Sequence, residues 1–314
     1  MNPKKSTVSL PLVSIIVITY NSAAYVTETL DSALRQIYAG PMELIVSDDC
    51  SADDTVSICR RWLESNQARF VRTVIVQTPA NCGICNNYNH ALRHAQGEWI
   101  KYIAGDDQLT PQCISRFVDH AMKTTDSLLI SGVYCFDEQE GPRYLMQDLL
   151  DSDEPSVQAH NLANAPAGIV EGPTFFIRSK TLRQMGGMDT RYPMLEDFPF
   201  AFRYTSSGGH IQVIKEPLVR YRVHRASVSQ SYSGFKSMYY KAMYEARMHL
   251  AFRNGHYTYA WHNFILAAIS SSSNFMGQLA IQLLKLTDIY GHMVRMHIIA
   301  PGKLSLLPTT TDII

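Results

Sequence analysis

The sequence predicts an α/β protein whose central sheet is mostly parallel and flanked by helices, and three observations lead to this fold class. Runs of β-branched and other apolar residues, typical of buried strands, occur five times between residues 13 and 136. Each of the first four runs precedes a segment with apolar residues at helical spacing. Regular alternation of strands and helices is typical of parallel sheets that carry helices on both faces.

These elements follow one another closely in the first half of the chain. The strands are predicted at residues 13–19, 42–47, 71–76, 99–104 and 128–136, and the helices begin at residues 21–22, 51, 85 and 111. Asn21 and Ser22 offer a helix start, residues 51–54 resemble a capping box, and Pro111 suits a first helical turn. Three of the four helix starts therefore carry a local signal.

The second half of the chain is less regular. Residues 138–170 are rich in acidic residues, Pro, Asn and Gln, which predicts a long functional loop. Regular structure is expected again at residues 174–177, in a helix from residue 179 to 186 and in a helix over residues 196–204. From about residue 235 the pattern predicts a helical C-terminal extension. Its first helix repeats apolar residues on one face at positions 239, 243, 246 and 250.

The composition excludes several classes of function. Lys and Arg total 28 and Asp and Glu total 28, so no net charge attracts the chain to nucleic acid. No G-x-G-x-x-G follows the first strand, which disfavours a dehydrogenase. The six cysteines are scattered, as is typical of a reduced cytosolic protein. Cys82 and Cys85 form a C-x-x-C without a second pair or a His cluster, so a tight loop is favoured over a zinc or redox site.

Polar segments occur where four of the predicted strands should end at one edge of the sheet. They comprise residues 19–21, 47–55, 81–89 and 105–107. Because ligands bind at the carboxyl ends of the strands in open α/β sheets, these segments are expected to form one site. Asp106 and Asp107 supply the oxygens that Mg²⁺ or Mn²⁺ prefers, and substrate phosphates complete the shell of such ions. The alternative for an Asp-Asp step alone is a turn or a helix cap.

Five strings of the sequence together resemble a known family. They are VSIIVITYN, ELIVSDDCSADDT, NCGICNNYNHALRHAQGEWIKYIAGDD, LEDFPF and YRVHRASVS, spread over residues 13–229. In this order and spacing they resemble the family 2 inverting glycosyltransferases with the GT-A fold, of the bacterial surface-glycan type, which use nucleotide-diphosphate sugars. The resemblance implies a GT-A domain over residues 1–234, with a nucleotide-binding half at 13–136 and an acceptor half at 137–234, followed by the helical extension at 235–314.

The resemblance also implies which residues bind the donor. Tyr20 would stack on the base, Asp48 would accept a hydrogen bond from uracil or its equivalent, and Asp106 would face the ribose or the sugar. The other residues implied in donor binding are Thr19, Asn21, Asn81, Gly83, Asn89 and Arg222. Two positions depart from the family pattern, because Ala104 stands where an Asp is usual and Tyr88 where Arg or Lys is frequent.

A second set of residues is implied for the metal and the reaction. Asp107 would bind Mn²⁺ or Mg²⁺ at the diphosphate, and His224 would contact the metal or the diphosphate. Asp197 would be the base that deprotonates the acceptor hydroxyl in an inverting transfer, and Glu196 would position the sugar or the acceptor. The alternatives are that His224 is structural and that the two acids are favoured at a helix N-terminus by the macrodipole.

The implied function is transfer of a sugar from a nucleotide-diphosphate sugar, with UDP as the expected nucleotide, to a glycan or lipid-linked saccharide. Alternatives are a non-catalytic sugar-nucleotide-binding or assembly protein on the same fold, and a nucleotidyltransferase, which would be expected to have a Gly-rich basic loop after the first strand. A cytoplasmic location is expected, because no signal peptide or spanning segment is predicted and nucleotide sugars are made there. The apolar stretches at 264–269 and 279–286 are expected to pack on the domain or on a second copy, with peripheral membrane contact as the alternative.

Overall fold

The computed structural model describes residues 9–137, 143–145, 147–164, 170–224, 235–253, 260 and 263–264. Its strands are β1 (Val13–Thr19), β2 (Met42–Asp48), β3 (Arg72–Gln77), β4 (Trp99–Ala104), β5 (Gln108–Leu109), β6 (Leu128–Asp137), β7 (Arg143–Leu145), β8 (Phe176–Arg178) and β9 (Ile211–Val223). Its helices are α1 (Val26–Leu34), α2 (Thr55–Asn66), α3 (Ile84–Leu92), α4 (Cys113–Ala121), α5 (Pro155–Asn164), α6 (Ser179–Gln184), α7 (Asp197–Ser206) and α8 (Phe235–Arg253). Within the described residues, the strands form one sheet in the order β3-β2-β1-β4-β8-β6-β9-β5, with β7 paired to β6.

The first four strands form the parallel part of the sheet. Strand β1 pairs in parallel with β2 on one side and with β4 on the other, and β3 extends the sheet beyond β2. Every residue of β1 is buried, because helices cover both faces, and this explains its nearly continuous apolar sequence. Ile16 and Ile18 face one hydrophobic cluster whereas Ile15 and Val17 face the other. The predicted α/β fold with flanking helices is confirmed.

The second half of the sheet differs from the prediction in its strand order. Strand β6, predicted as the next parallel strand, is not adjacent to β4. Strand β8 lies between them and runs antiparallel to both. Strand β8 overlaps the regular structure predicted over residues 174–177, but three residues are too few for a periodic pattern that would reveal its place between β4 and β6.

Strand β9 has no counterpart in the sequence prediction. Its burial pattern is mixed, and Pro217, which lacks an N–H group, lies where the register between β6 and β9 shifts. Strand β9 also pairs antiparallel with β5, where Gln108 faces Arg220. This pairing brings residues 222–224 beside the turn that follows β4.

Two predicted helix starts need correction. Helix α1 begins at Val26 rather than at residues 21–22, and the preceding residues form a tighter turn in which the Ser22 carbonyl accepts the Tyr25 N–H at 2.9 Å. Helix α2 begins at Thr55 rather than at Ser51. The side chain of Asp53, and not that of Ser51, accepts a backbone N–H of its first turn, that of Thr55, at 3.1 Å.

Part of the predicted long loop is helical. Helix α5 lies within residues 138–170 and is anchored by Gln158, whose Nε2 donates to the carbonyls of Leu150 and Ile211, both at 2.7 Å. Gln158 has no exposed surface. A polar residue therefore occupies the centre of the buried face, which weakens the apolar periodicity from which a helix is predicted.

Helix α8 agrees with the first part of the predicted extension. Met243, Ala246 and Leu250 are buried on one face, and the helix packs against α5 and α7. No helix in the described part of the chain combines the length and apolarity needed to cross a membrane. The stretch at 279–286 and nearly all of 264–269 lie outside the described residues.

A buried carboxylate holds the amino-terminal edge of the sheet. Glu43 on β2 has no exposed surface. Its carboxylate accepts hydrogen bonds from Ser14 Oγ at 2.5 Å, Gln96 N at 2.6 Å, Arg72 Nη1 at 2.8 Å and Gly97 N at 3.1 Å. One side chain thereby joins β1, β3 and the turn before β4.

Glu43→Ala should lower the free energy of unfolding by about 3 kcal/mol, because it leaves buried donors and a partly buried arginine without their acceptor. Urea denaturation measures this change. Glu98→Ala is the matched control. Glu98 is the more exposed member of its ion pair with Arg178, so its loss should lower the free energy of unfolding by less than about 1 kcal/mol. Equal losses in the two variants would contradict the importance of the buried carboxylate.

Candidate functional site

The polar segments that follow the parallel strands do converge at one edge of the sheet. Thr19 Oγ1 at the end of β1 donates to Asp48 Oδ1 at the end of β2, at 2.8 Å. Asp49 N donates to Thr19 O at 2.8 Å, and Gly105 N, just after β4, donates to Ile18 O at 2.9 Å. Three strand ends are thus bonded together.

The Asp48 carboxylate lies beneath this edge rather than on its surface. It has no exposed area, and besides Thr19 it accepts Ser51 Oγ at 2.5 Å and Ser51 N at 2.9 Å. Contact between Asp48 and a nucleotide base therefore requires the Ser51 hydroxyl to give up its bond. In this structure Asp48 fixes the loop after β2, and its contact with a base stays a prediction.

Asp49 fixes the third polar segment. Its carboxylate accepts Cys82 N at 2.9 Å and Gly83 N at 2.8 Å, which is the turn-forming role considered for an Asp-Asp step. Gly83 has a φ of +86°, and a Cβ at this position would lie 3.0 Å from Pro193 O, so the loop needs glycine here. Asn81 is exposed on the same loop.

Both cysteines of the C-x-x-C are engaged within this region. Cys82 Sγ donates to Asp49 Oδ1 at 3.0 Å, and Cys85 Sγ donates to Tyr192 O at 3.1 Å. Burial raises the pKa of Cys82 to about 11, so its thiol stays protonated at neutral pH. This geometry agrees with the tight-loop interpretation.

Tyr20 and Asn21 differ in how they use their side chains. Tyr20 is 51% exposed at the edge of the sheet. Asn21 has a φ of +49°, a conformation that asparagine tolerates better than most residues. Its N–H donates to Ser51 Oγ at 2.8 Å, and its Oδ1 accepts Ala52 N at 2.9 Å. Asn21 shapes the loop, whereas the ring of Tyr20 is open to a ligand.

Asn89, expected in donor binding, bonds to a distant segment instead. Its Nδ2 donates to Met188 O at 2.8 Å, and its Oδ1 accepts Met188 N at 2.9 Å. The buried residue of α3 at the strand ends is Asn87, whose Nδ2 donates to Ser47 O at 2.9 Å and whose Oδ1 accepts Ser47 Oγ at 2.6 Å. The sequence signal that could have identified Asn87 is an amide side chain on the otherwise apolar, buried face of α3.

The acidic pair after β4 consists of two unlike carboxylates. Asp106 is partly exposed, and its Oδ2 lies 3.0 Å from His224 Nε2. Asp107 is 1% exposed, and its Oδ1 accepts the backbone N–H of Arg222 at 2.8 Å. Asp107 Oδ2 is buried without a hydrogen-bond partner. Burial and the neighbouring charge of Asp106 raise the pKa of Asp107.

Arg222, expected as a donor contact, is engaged inside the protein. Its Nε donates to Asp106 O at 3.0 Å, its Nη2 pairs with Glu28, and its guanidinium stacks 4.7 Å from the ring centres of Tyr25 and Phe136. It is 8% exposed. The observed role of Arg222 is to hold β9 against the acidic pair.

The residues at this turn suit a hard cation that is only partly held by protein. Among the described residues no group of three or more His, Cys, Asp or Glu side chains is placed to hold a metal. Asp106, His224 and the unpartnered oxygen of Asp107 nevertheless offer carboxylate and imidazole ligands. Mg²⁺ is often bound by one or two carboxylates while substrate phosphates complete its shell, and this arrangement fits that pattern.

The second acidic pair lies at the start of α7, beside β4. Asp197 Oδ1 accepts the Phe198 N–H at 2.6 Å, and Glu196 Oε1 accepts the hydroxyl of Tyr102. Burial and the charge of Asp197 raise the pKa of Glu196 to about 8. Burial also raises the pKa of Asp197, but backbone N–H groups and the charge of Arg247 oppose that rise. Burial thus opposes ionisation of both carboxyl groups, while the backbone N–H groups and Arg247 favour the ionised form of Asp197.

Glu171 joins this acidic pair, although sequence reasoning missed it. Burial and the charges of Asp197 and Glu196 raise its pKa to about 8. The charge of Glu171 also acts on Asp107. Glu171 stands alone at the end of the region predicted as a loop, where no pattern distinguishes it from other surface acids.

Comparisons with known proteins agree on the family and on the fold. The family model described as Glycosyl transferase family 2 matches residues 14–186. The putative glycosyltransferase EpsH of Bacillus subtilis is 26% identical over 230 residues, which cover 71% of this chain and 64% of EpsH. The chain therefore spans slightly less than two thirds of the length of that relative.

Two solved structures share the fold, and the family match identifies the chain. TarS 1–349 of S. aureus, in complex with UDP-GlcNAc, has a TM-score of 0.61 at 19% identity over 82% of this chain and 72% of TarS 1–349. The mannosyltransferase PcManGT of Pyrobaculum calidifontis, in complex with GDP-Man and Mn²⁺, has a TM-score of 0.56 at 19% identity over 93% of this chain and 84% of PcManGT. Because the family match covers more than half of its 314 residues, the chain belongs to glycosyl transferase family 2 and is a glycosyltransferase.

Proposed function

We propose that this glycosyltransferase moves a sugar from a nucleotide-diphosphate sugar, with UDP as the expected nucleotide, to a hydroxyl of a glycan or lipid-linked saccharide, with inversion at the anomeric carbon. The carrying observation is the position of two acidic centres along β4. Tyr102 on β4 contacts Glu196, and Asp106 and Asp107 follow directly after the strand. The nucleotide sugars named with TarS and PcManGT support this donor class.

The donor is expected to lie along the edge formed by the strand ends. The exposed ring of Tyr20 offers a stacking surface for the base, and the loop that carries Asn81 and Gly83 borders the ribose and diphosphate. Thr19 and Asn21 support this surface through their loop contacts. A hydrogen bond from the base to Asp48 requires the Ser51 hydroxyl to rotate away.

The cation is assigned to Asp106 and His224, with the unpartnered oxygen of Asp107 as the third candidate ligand. Mn²⁺ or Mg²⁺ bound there would offset the charge that develops on the departing diphosphate. The observed contacts of Arg222 support a role in holding these ligands in place. This assignment gives Asp106 the more accessible ligand position, although Asp107 was the ligand expected from the resemblance.

Asp197 is assigned as the base. An inverting transfer needs a carboxylate that removes the acceptor proton while the acceptor oxygen attacks from the face opposite the diphosphate. The backbone donors at the start of α7 favour the ionised form of Asp197, whereas burial and the charge of Asp197 favour the neutral form of Glu196. We place the reaction in the cytoplasm, where nucleotide sugars are made, with residues 235–314 as the candidate contact to a membrane surface or to a second copy.

The first test is release of nucleoside diphosphate from a panel of UDP-glucose, UDP-galactose, UDP-GlcNAc and GDP-mannose with Mn²⁺. Asp106→Asn and His224→Ala should each raise the Mn²⁺ concentration for half-maximal release by more than about tenfold. Asp107→Asn should do the same if its unpartnered oxygen is a ligand. Glu28→Gln is the control, since it changes a partner of Arg222 and leaves Asp106 and Asp107 in place. Undiminished release in excess chelator would remove the cation from the proposal.

Asp197→Asn should lower kcat by about 10²–10⁴-fold, the usual range for loss of a general base. Donor binding should change little, because the amide keeps the shape of the side chain. The comparison variant is Glu196→Gln, which retains an oxygen for the Tyr102 hydroxyl and should lose much less. If Glu196→Gln is the inactive variant and Asp197→Asn is active, the assignment is wrong by one position.

Glu196→Gln should also change how stability depends on pH. The pKa of Glu196 is raised from 4.5 to about 8 in the folded protein, so the folded state loses stability as pH rises between these values. Glutamine cannot ionise, and the melting temperature of the variant should therefore gain on wild type between pH 5.5 and pH 8.5. Glu64→Gln, at an exposed position on α2, controls for the general loss of one charge. A pH-independent difference would contradict the raised pKa.

A further inference from the structure

We propose that Glu171 contacts the transferred sugar and that its carboxyl group recognises a sugar hydroxyl between the two acidic centres. This inference rests on the proposed donor class and adds a residue that contributes to the choice of sugar. It concerns the part of the site between Asp107, at the end of β4, and Asp197, at the start of α7.

The backbone next to Glu171 lies directly against the second acidic pair. A Cβ at Gly172 would collide with Glu196 Oε1 and with the hydroxyl of Tyr102. The backbone N–H of Gly172 favours the ionised form of Asp197 by lowering its pKa. Glu171 therefore stands beside the assigned base.

Glu171 also interacts electrostatically with the metal end of the site. Its charge acts on Asp107, and the charges of Asp197 and Glu196 act on Glu171. We therefore place its carboxyl group within reach of both centres, where the sugar would join the diphosphate to the acceptor. The same position explains why Glu171 is only partly buried, since a ligand must reach it.

The segment that carries Glu171 is held firmly before any substrate binds. The Thr174 hydroxyl donates to Glu171 O at 2.6 Å, and Gln147 Nε2 donates to Thr174 Oγ1 at 3.0 Å. The fully buried Lys101 on β4 donates to the carbonyls of Pro173 and Phe175. A contact made from a rigid segment positions a ligand more accurately than one made from a loose loop.

Polar groups around this space remain unsatisfied. Two buried atoms of the site, Asp107 Oδ2 and the Tyr88 hydroxyl, have no hydrogen-bond partner among the described residues. Tyr88 packs edge-on against Tyr102 at 4.7 Å. Unpaired buried polar atoms are costly unless a ligand or water completes them.

The chemistry of Glu171 suits a hydroxyl group. Burial and two neighbouring acids raise its pKa to about 8, so at neutral pH the group is a carboxylic acid that both donates and accepts. A sugar hydroxyl has the same dual capacity. A neutral acid also avoids repulsion of the anionic diphosphate.

The experiment compares binding of the free nucleotide with binding of the nucleotide sugar. Calorimetry with Mn²⁺ gives the dissociation constants of UDP or GDP and of the panel donor that wild type cleaves. Glu171→Ala should weaken nucleotide-sugar binding about tenfold, the value of one or two lost hydrogen bonds, while free-nucleotide binding changes less than about twofold. Glu171→Gln, which keeps a donor and an acceptor, should restore most of the loss. The donor KM should follow the same order, with a smaller change in kcat.

The outcomes separate this inference from the proposed function. If wild type releases no nucleoside diphosphate from any member of the panel, the proposed function and the Glu171 contact fall together. If wild type is active and Glu171→Ala binds the nucleotide sugar normally, only the Glu171 contact is overturned. An equal loss of free-nucleotide and nucleotide-sugar binding in Glu171→Ala also overturns it, since it indicates a structural role. Melting temperatures confirm that the variants are folded.

Discussion

The insertion of β8 between β4 and β6 is the constraint on which the site depends. Its antiparallel pairing with both strands brings the segment before it, including Glu171 and Gly172, to the edge where β4 ends. Lys101 reinforces this pairing from within, because its buried ammonium group bonds to carbonyls of that segment. Burial lowers the pKa of Lys101 to about 8, so the ammonium group loses its proton more readily than an exposed lysine but remains mostly protonated at neutral pH.

The handling of charge follows from that arrangement. Five carboxyl groups lie near the end of β4, and they cannot all be ionised at close range without a large electrostatic cost. Burial opposes ionisation of both carboxyl groups at the start of α7, and backbone N–H groups and Arg247 favour the ionised form of Asp197. The pair after β4 has Arg222 and His224 beside it and leaves one oxygen of Asp107 without a partner. The pair at the start of α7 is thus suited to accept a proton and the pair after β4 to bind a cation, which are the two requirements of the proposed reaction.

Sequence reasoning predicted the positions of the site better than the contacts of its residues. Strands β1 and β4 were predicted with the bounds observed, because both are long apolar runs that end at polar residues. Asn89 was expected to bind the donor, which stays a prediction, but its observed partner, Met188, lies 99 positions away, and no local pattern encodes such a bond. Glu171 was missed for the same reason, since its importance comes from residues on β4 and α7. Motifs indicate which segments meet, whereas burial and partners decide what each side chain does.

The buried carboxylates themselves distinguish structure from function. Glu43, Asp48 and Asp49 are almost completely buried, and each accepts several hydrogen bonds from neighbouring groups. A satisfied carboxylate of this kind stabilises a fold, and a ligand that binds it must first displace one of its partners. Asp107 is as deeply buried, yet one of its oxygens has no partner among the described residues. A protein tolerates that cost where a ligand later completes the bonds. The difference between Asp107 and these carboxylates therefore points to the same edge of the sheet that the polar segments indicated, on independent physical grounds.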